Sequence, residues 1–138
     1  MNQTTDSVRI TIFDQTDPSH FLVLSETDDP DNLKLPGGKF ESENESPDEA
    51  AARELFEELG VTSKQVSLTR AGELTNDDGS SRRYIYFGQA SLNDLKPSHE
   101  IDHIEWRTEE TVPAGKNRDH ILSAVALSRK SLSNNNPK

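Results

Sequence analysis

The sequence predicts one α+β domain in which a mixed β-sheet lies between two helices. The chain has 138 residues, which is an ordinary length for a single domain. Short segments of alternating hydrophobicity occur before and between two segments with helical periodicity, so the order of elements is strands, helix, strands, helix. The sequence contains neither an internal repeat nor a composition that is typical of a linker. We therefore expect a single core.

The segment before the first helix predicts three strands. Apolar and polar residues alternate over residues 8–12, which is typical of a strand with one buried face. Residues 14–20 are rich in turn formers, and residues 21–24 form a second apolar segment, so the two strands are expected to form a hairpin. Residues 27–32 predict a loop, and residues 33–35 predict a short third strand.

The first helix has clear signals at both ends. Ser46 is placed as the N-cap, Pro47 takes the first helical position, and Glu49 completes a capping box. Gly60 follows the last helical residue, where a left-handed cap is usual. The apolar residues with helical spacing, which we expect to face the core, are Ala52, Leu55, Phe56 and Leu59.

The second half of the chain predicts three strands and a second helix. Strands are expected over residues 66–74, 83–90 and 101–107, with a polar loop over residues 75–81. Residues 119–132 have the pattern of an amphipathic helix. Its expected inward residues are Ile121, Leu122, Val125, Ala126 and Leu132.

Composition excludes several classes of function. The formal net charge of −10 argues against a partner that is a nucleic acid polymer and against an anionic membrane surface. The absence of cysteine excludes disulfides, thiolate catalysis and cysteine-type zinc sites. No apolar run is long enough to span a membrane, so a cytoplasmic protein is expected. We expect the domain to cover residues 8–132, with disordered tails over residues 1–7 and 133–138.

Three carboxylates of the first helix are candidates for a metal site. Glu54, Glu57 and Glu58 are related by spacings of three and four residues, so they are neighbours on the helix surface. Their repulsion destabilises a bare helix, whereas a hard divalent cation such as Mg²⁺ prefers such oxygen ligands. A solvated acidic face is the alternative. The Gly37-Gly38 pair just upstream indicates either close backbone approach to a ligand or a simple turn.

Together these residues resemble the Nudix box, the signature of the Nudix hydrolases. Seven residues separate Glu45 from Arg53, and the residues that follow are REUxEEUGU, in which U is aliphatic and x is Phe56. Six residues, rather than the usual five, separate Gly38 from Glu45. Asn44 stands where a glycine is usual, and asparagine is the residue that next best tolerates positive φ. We therefore expect one extra loop residue before an unaltered helix.

The resemblance implies a Nudix-type α/β/α sandwich and a MutT-like activity. The implied reaction is the hydrolysis of a nucleoside diphosphate linked to another group, with Mg²⁺ or Mn²⁺ as the cofactor. By resemblance, the metal ligands are Glu54, Glu57, Glu58 and the Gly38 carbonyl. Arg53 is expected to hold the Glu54 carboxylate or, alternatively, to form an ordinary helix pair with Glu57.

Further site residues follow from the same resemblance. Glu100 is the first candidate for the general base and a further metal ligand, Glu105 is the fallback, and a role as base for Glu54 or Glu57 stays open. Asn117 is either a base-reading residue or a helix N-cap. The basic residues that either contact phosphate or face solvent are Lys39, Arg83, Arg82 and Lys34.

The favoured activity is that of a nucleoside triphosphate pyrophosphohydrolase, which acts on a canonical or oxidised nucleotide and releases a nucleoside monophosphate and pyrophosphate. Hydrolysis of a nucleotide-sugar or a dinucleoside polyphosphate is an alternative, and so is a noncatalytic nucleotide-binding module on the same fold. The acidic segments DDPDN and NDDGS also leave open a calcium-binding or acidic interaction protein. A nucleotide is thus the expected small-molecule partner, and a homodimer is compatible with the family.

Overall fold

The computed structural model describes residues 6–76 and 79–134. These residues form seven strands and two helices, with short 3₁₀ turns at Leu92–Asp94 and Glu109–Thr111. The strands are β1 (Ser7–Asp14), β2 (Asp17–Glu26), β3 (Asp29–Lys34), β4 (Gly37–Lys39), β5 (Thr69–Thr75), β6 (Arg82–Ala90) and β7 (Ile101–Arg107). The helices are α1 (Pro47–Leu59) and α2 (Arg118–Asn134).

All seven strands belong to one mixed sheet. The strands β1 and β6 are parallel, whereas β1 pairs antiparallel with β2 and with β4. The strands β3 and β7 both pair antiparallel with β2, and β5 pairs antiparallel with β6. The predicted hairpin of the first two strands is therefore confirmed, and so is the mixed sheet.

The two helices cover opposite faces of this sheet. Alternate residues of β1 point to opposite sides, so Val8, Ile10 and Ile12 join the core beneath α1. Phe13 belongs to the second core, which α2 covers with residues such as Ile121 and Val125. The predicted α/β/α sandwich is confirmed.

Two strands include residues for which the sequence predicts a loop or a turn. The predicted loop over residues 27–32 is wrong, because β3 begins at Asp29 and Glu26 pairs with Asp29. Since β3 ends the sheet, Pro30 and the acidic side chains are tolerated at that edge. Gly37–Lys39 is likewise a short strand that pairs with the start of β1.

The buried face of α1 differs from the predicted one. Phe56 is 58% exposed, whereas Glu54 and Glu58 are buried beside Leu55 and Leu59. The helix packs on β1 and β4, and the side-chain-free glycines of β4 leave room for carboxylates there.

The buried face of α2 also departs from the prediction. Ala126 is exposed, and Ala124 and Ser128 are buried instead. Ser128 can be buried because its Oγ donates a hydrogen bond to Thr11 Oγ1 at 2.9 Å.

The domain limits shift slightly at both ends. Ser7 opens β1, where it pairs with Lys39 and Arg83, and α2 extends to Asn134. The rest of the two predicted tails, apart from residue 6, lies outside the described residues. In the part of the chain that the structure describes, neither helix has the length and apolar character needed to cross a membrane.

Candidate metal and substrate site

The caps of α1 fix where its carboxylates lie. Ser46 Oγ accepts a hydrogen bond from the Glu49 backbone N–H at 3.1 Å, and the Glu49 carboxylate accepts one from the Ser46 N–H at 2.9 Å. At the other end, Gly60 takes the left-handed conformation with φ of 70° and donates its N–H to Phe56 O. The predicted capping box and C-cap are both present. The helix register is thereby fixed, and with it the acidic triad, which consists of Glu54, Glu57 and Glu58.

Glu58 is a buried carboxylate that contacts the backbone of β4. It accepts a hydrogen bond from the Gly37 N–H at 2.9 Å. Burial raises the pKa of Glu58 to about 7, and the nearby Glu54 adds to this, while the Gly37 hydrogen bond opposes it. Its ionised form is therefore costly unless a cation lies close to it.

Glu54 lies against Gly38. A Cβ atom at Gly38 would come within 2.4 Å of Glu54 Oε2, so only glycine permits this contact. Burial raises the pKa of Glu54, and Arg53 partly offsets the shift. The Gly38 backbone and the Glu54 carboxylate, two of the predicted metal ligands, are thus direct neighbours.

Arg53 connects the acidic triad to the loop before α1. Its Nε and Nη2 donate to both oxygens of Glu45, at 2.6 and 3.0 Å. Its Nη1 donates to Glu54 Oε2 and to Glu57 Oε1, both at 3.1 Å, and Nη2 also donates to the Lys39 carbonyl. Both expected contacts of Arg53, with Glu54 and with Glu57, are therefore present together.

The extra loop residue is taken up in a turn ahead of Glu45. The Glu45 N–H donates to Ser42 O at 3.3 Å, and the Asn44 N–H donates to Ser42 Oγ at 3.2 Å. Among the described residues only glycines have positive φ, so the expectation for Asn44 is wrong. Because the turn closes with ordinary φ angles, Glu45 still reaches Arg53.

The donor set fits a hard divalent cation in its chemistry. Its side-chain donors are all carboxylate oxygens, two of the three carboxylates are buried, and the Gly38 backbone lies against one of them, Glu54. In residues 6–76 and 79–134, however, no group of three or more His, Cys, Asp or Glu side chains is gathered to hold a metal ion. Glu54 and Glu57 are turned toward Arg53, and Glu58 toward Gly37.

A basic cavity lies on the α2 side of the sheet. Its volume is about 270 Å³. The described residues that line it are Arg9, Lys34, Leu35, Arg83, Asn117, His120 and Ile121. Arg9 and Arg83 lie on the parallel strands β1 and β6, and Asn117, His120 and Ile121 come from the start of α2. We refer to this space as the basic cavity.

The structure brings together some of the predicted substrate residues and separates others. Arg83, Asn117 and Lys34 all line the basic cavity. Arg82 instead lies 3.9 Å from Glu73 at an exposed position, so its side chain belongs to a different surface. The Lys39 side chain is exposed, and its carbonyl accepts from Arg53.

Asn117 has features of both expected roles. Its carbonyl accepts from the Ile121 N–H, which is the backbone position of a helix N-cap. Its side-chain Nδ2, however, donates to Leu33 O at 3.0 Å rather than capping the helix. Asn117 therefore joins α2 to β3 at the edge of the basic cavity.

The two candidates for the general base differ in their surroundings. Glu100 is exposed in the turn before β7, and within the described ranges its side chain makes no hydrogen bond or ion pair with the acidic triad. The nearby Ser98 N–H donates to Glu58 O, so this turn lies at the end of α1. The Glu105 carboxylate is hydrogen-bonded to His103 and to Arg107. Burial raises the pKa of Glu105, but the two hydrogen bonds outweigh burial, so the net pKa is lowered.

Two lining residues, Arg9 and His120, were missed in the sequence. In the sequence, Arg9 is simply a polar residue of an alternating strand. Only the parallel pairing of β1 with β6 places Arg9 on the same face of the sheet as Arg83. His120 follows Asn117 by three residues, so helical spacing could have placed the two side by side. The relevant signal was therefore present for His120 but not for Arg9.

Comparison with known sequences supports the resemblance. A family model described as NUDIX domain matches residues 3–125. One curated relative is diphosphoinositol polyphosphate phosphohydrolase 2 of Rattus norvegicus, which is 43% identical over 65 residues, or 47% of this chain. That segment is 35% of the rat protein, so the match spans about a third of the relative's length.

Solved structures share the fold. The NUDIX domain of Shewanella oneidensis NrtR, complexed with ADP ribose, aligns with a TM-score of 0.70 at 17% identity, covering 96% of this chain and 90% of that one. A Caenorhabditis elegans Ap4A hydrolase aligns with a TM-score of 0.63 at 24% identity, covering 92% and 96%. Identities this low establish the architecture alone.

Proposed function

The chain belongs to the NUDIX domain family, and we propose that it is a metal-dependent hydrolase that cleaves a pyrophosphate linkage. The observation that carries the proposal is the contact of the buried Glu54 and Glu58 with the Gly37-Gly38 backbone. Buried carboxylates with raised pKa values are costly for the fold, and a divalent cation would offset that cost.

The proposed ligands of Mg²⁺ or Mn²⁺ are Glu54, Glu57, Glu58 and the Gly38 carbonyl. When bound there, the metal would neutralise pyrophosphate charge and make a bound water a better nucleophile. Arg53 would orient Glu54 and Glu57 and hold the Glu45 loop against α1. Positioning and electrostatics would then supply most of the rate enhancement.

We keep Glu100 as the proposed general base and further metal ligand. The backbone contact of Ser98 with Glu58 O supports this role, because the turn that carries Glu100 thereby lies at the C-terminal end of the helix that carries the triad. Glu105 is the weaker candidate, since His103 and Arg107 already occupy its carboxylate.

The proposed substrate is a nucleoside triphosphate, which would yield a nucleoside monophosphate and pyrophosphate. Arg83 and Asn117 would contact it from the basic cavity, and Lys39 would contact phosphate near the acidic triad. The rat relative, named as a diphosphoinositol polyphosphate phosphohydrolase, makes such compounds a second substrate candidate. The Ap4A hydrolase neighbour makes dinucleoside polyphosphates a third.

A hydrolysis panel with Mg²⁺ and with Mn²⁺ tests the proposal. The panel contains nucleoside triphosphates, a nucleotide-sugar, a dinucleoside polyphosphate and a diphosphoinositol polyphosphate, with products identified by chromatography. We expect Glu57→Gln and Glu58→Gln to lower the rate by orders of magnitude with the fold retained. Glu110→Gln, at an exposed position in a 3₁₀ turn, is the matched control.

The panel also separates the alternatives. Unchanged turnover in both Gln variants would overturn the metal role of the triad. Nucleotide binding without turnover by the wild type would indicate a noncatalytic module instead. The complete set of Arg53, Glu54, Glu57 and Glu58 argues against such a module.

A further inference from the structure

The basic cavity concentrates positive charge in a strongly acidic chain. Its cationic lining side chains are Arg9, Lys34 and Arg83. Burial, Arg83 and Arg9 lower the pKa of the fourth basic lining residue, His120, which therefore favours its neutral form. The chain as a whole carries a net charge of −10. A local cluster of cations costs free energy through self-repulsion, and bound anions relieve that cost.

Several donors in this cavity are free to bind a ligand. Within the part of the chain that the structure describes, the Arg83 guanidinium has no hydrogen bond or ion pair, and Arg9 uses one N–H for Leu35 O at 3.1 Å. Lys34 is paired with Glu26 at 2.6 Å. Arg83 and His120 also line a second cavity of about 270 Å³, so the two spaces adjoin.

The cavity is close to the acidic triad. Arg9 pairs with Gly37 in the sheet, and the Gly37 N–H is the donor to Glu58. Burial lowers the pKa of Arg9. The carboxylates of Glu58 and Glu54 raise this pKa and the Arg83 guanidinium lowers it, so Arg9 interacts electrostatically with both the acidic triad and the basic cavity. Lys34, a second lining residue of the cavity, also acts electrostatically on Glu58, so the cavity adjoins the end of the triad that contacts Gly37.

The lining suits an anion better than a nucleobase. Among the described lining residues the apolar side chains are Leu35 and Ile121, and none is aromatic. Stacking of a base usually uses aromatic faces, whereas Arg side chains bind phosphate through several N–H groups at once.

We propose that the basic cavity binds a phosphate group of the substrate that is separate from the scissile pyrophosphate. This assignment rests on the hydrolase activity proposed above, and it favours a substrate other than the nucleoside triphosphate, whose phosphates all belong to one triphosphate chain. The substrate would carry a pyrophosphate and at least one further phosphate monoester. That monoester belongs either to a phosphorylated polyol or to the ribose of a nucleotide.

Calorimetry on the full chain without added metal tests the cavity apart from turnover. The probes are inositol hexakisphosphate for the polyol source, and adenosine 3′,5′-bisphosphate compared with adenosine 5′-monophosphate for the nucleotide source. We expect Arg83→Gln to weaken binding of the phosphate-rich probe about 10- to 100-fold. Arg83→Lys, which keeps the charge, should weaken it less. Arg82→Gln is the matched control, since Arg82 is adjacent in β6 but lies near Glu73.

The outcomes distinguish the two sources and can refute the subsite. Tighter binding of inositol hexakisphosphate than of adenosine 3′,5′-bisphosphate identifies a polyol phosphate. Tighter binding of the bisphosphate than of either inositol hexakisphosphate or adenosine 5′-monophosphate identifies a ribose phosphate. Equal affinities of the Arg83→Gln and Arg82→Gln variants, or no binding of either phosphate-rich probe, would overturn the assignment. Failure of the hydrolysis panel leaves these affinities unaffected, so the two proposals can fail separately.

Discussion

Arg53 is the residue that holds two carboxylates of the acidic triad, Glu54 and Glu57, in their present arrangement. Replacing it with lysine keeps the charge but loses the planar group that reaches Glu45, Glu54 and Glu57 at once. We expect Arg53→Lys to lower activity about 10- to 100-fold. Steady-state kinetics measure the activity and a Mn²⁺ titration measures the metal affinity, with Arg82→Lys as the control. Wild-type activity in Arg53→Lys would show that the carboxylates do not depend on this contact.

Gly38 is the second residue at which a small change should have a large effect. An added Cβ would lie 2.4 Å from Glu54 Oε2, so Gly38→Ala must displace that carboxylate. We expect weaker Mn²⁺ binding and lower activity, with thermal stability less affected. Gly115→Ala is the control, because its nearest neighbour, Asn32 Oδ1, would be 3.8 Å from the new Cβ. Equal Mn²⁺ affinities in the two variants would exclude Gly38 from the metal site.

The element that carries the triad depends on its N-terminal cap. Ser46→Ala removes the hydrogen bond to the Glu49 N–H, and we expect a loss of about 1 kcal/mol in the free energy of unfolding. Ser46→Asp supplies another good cap and should stay near the wild-type value. Urea unfolding of the three proteins measures the difference. A loss in Ser46→Asp equal to that in Ser46→Ala would contradict a capping role.

At the scale of elements, sequence patterns predicted best where local chemistry decides the structure. The ends of α1 follow from Ser46, Pro47 and Gly60, whose effects are local. The buried face of α1 did not follow, because burial of Glu58 depends on a hydrogen bond from a distant strand. The strand predicted over residues 33–35 overlaps only the end of β3, and the first part of β3 was missed because the turn-forming composition around Pro30 hides an edge strand.

At the scale of the whole molecule, the acidic triad was visible in the sequence and the basic cavity was not. The triad lies within two turns of one helix, so its spacing reveals it. The cavity brings together β1, β3, β6 and α2, and the parallel pairing of β1 with β6 that positions Arg9 and Arg83 is a long-range feature. Periodicity carries no information about which strands become neighbours.

The stability of the whole molecule should depend on pH through Glu58. Its pKa is about 7 in the folded protein, against an ordinary value of 4.5, with burial as the main cause and Glu54 adding to it. The protonated form is therefore favoured by folding, and the stabilisation is complete below about pH 4.5 and lost as the pH rises through 7. Without metal, we expect the free energy of unfolding to fall over this range by on the order of 3 kcal/mol.

Urea unfolding in a chelating buffer at several values of pH measures this dependence. Glu58→Gln cannot ionise, so its free energy of unfolding should vary less, and the difference between the two proteins isolates Glu58 from the general repulsion of a chain with a charge of −10. Added Mg²⁺ that binds the ionised carboxylate should restore wild-type stability most at high pH and leave the Gln variant largely unchanged. If the free energies of unfolding of the two proteins without metal change in parallel with pH, Glu58 ionises normally. Burial of the ionised Glu58 would then carry no free-energy cost for a cation to offset.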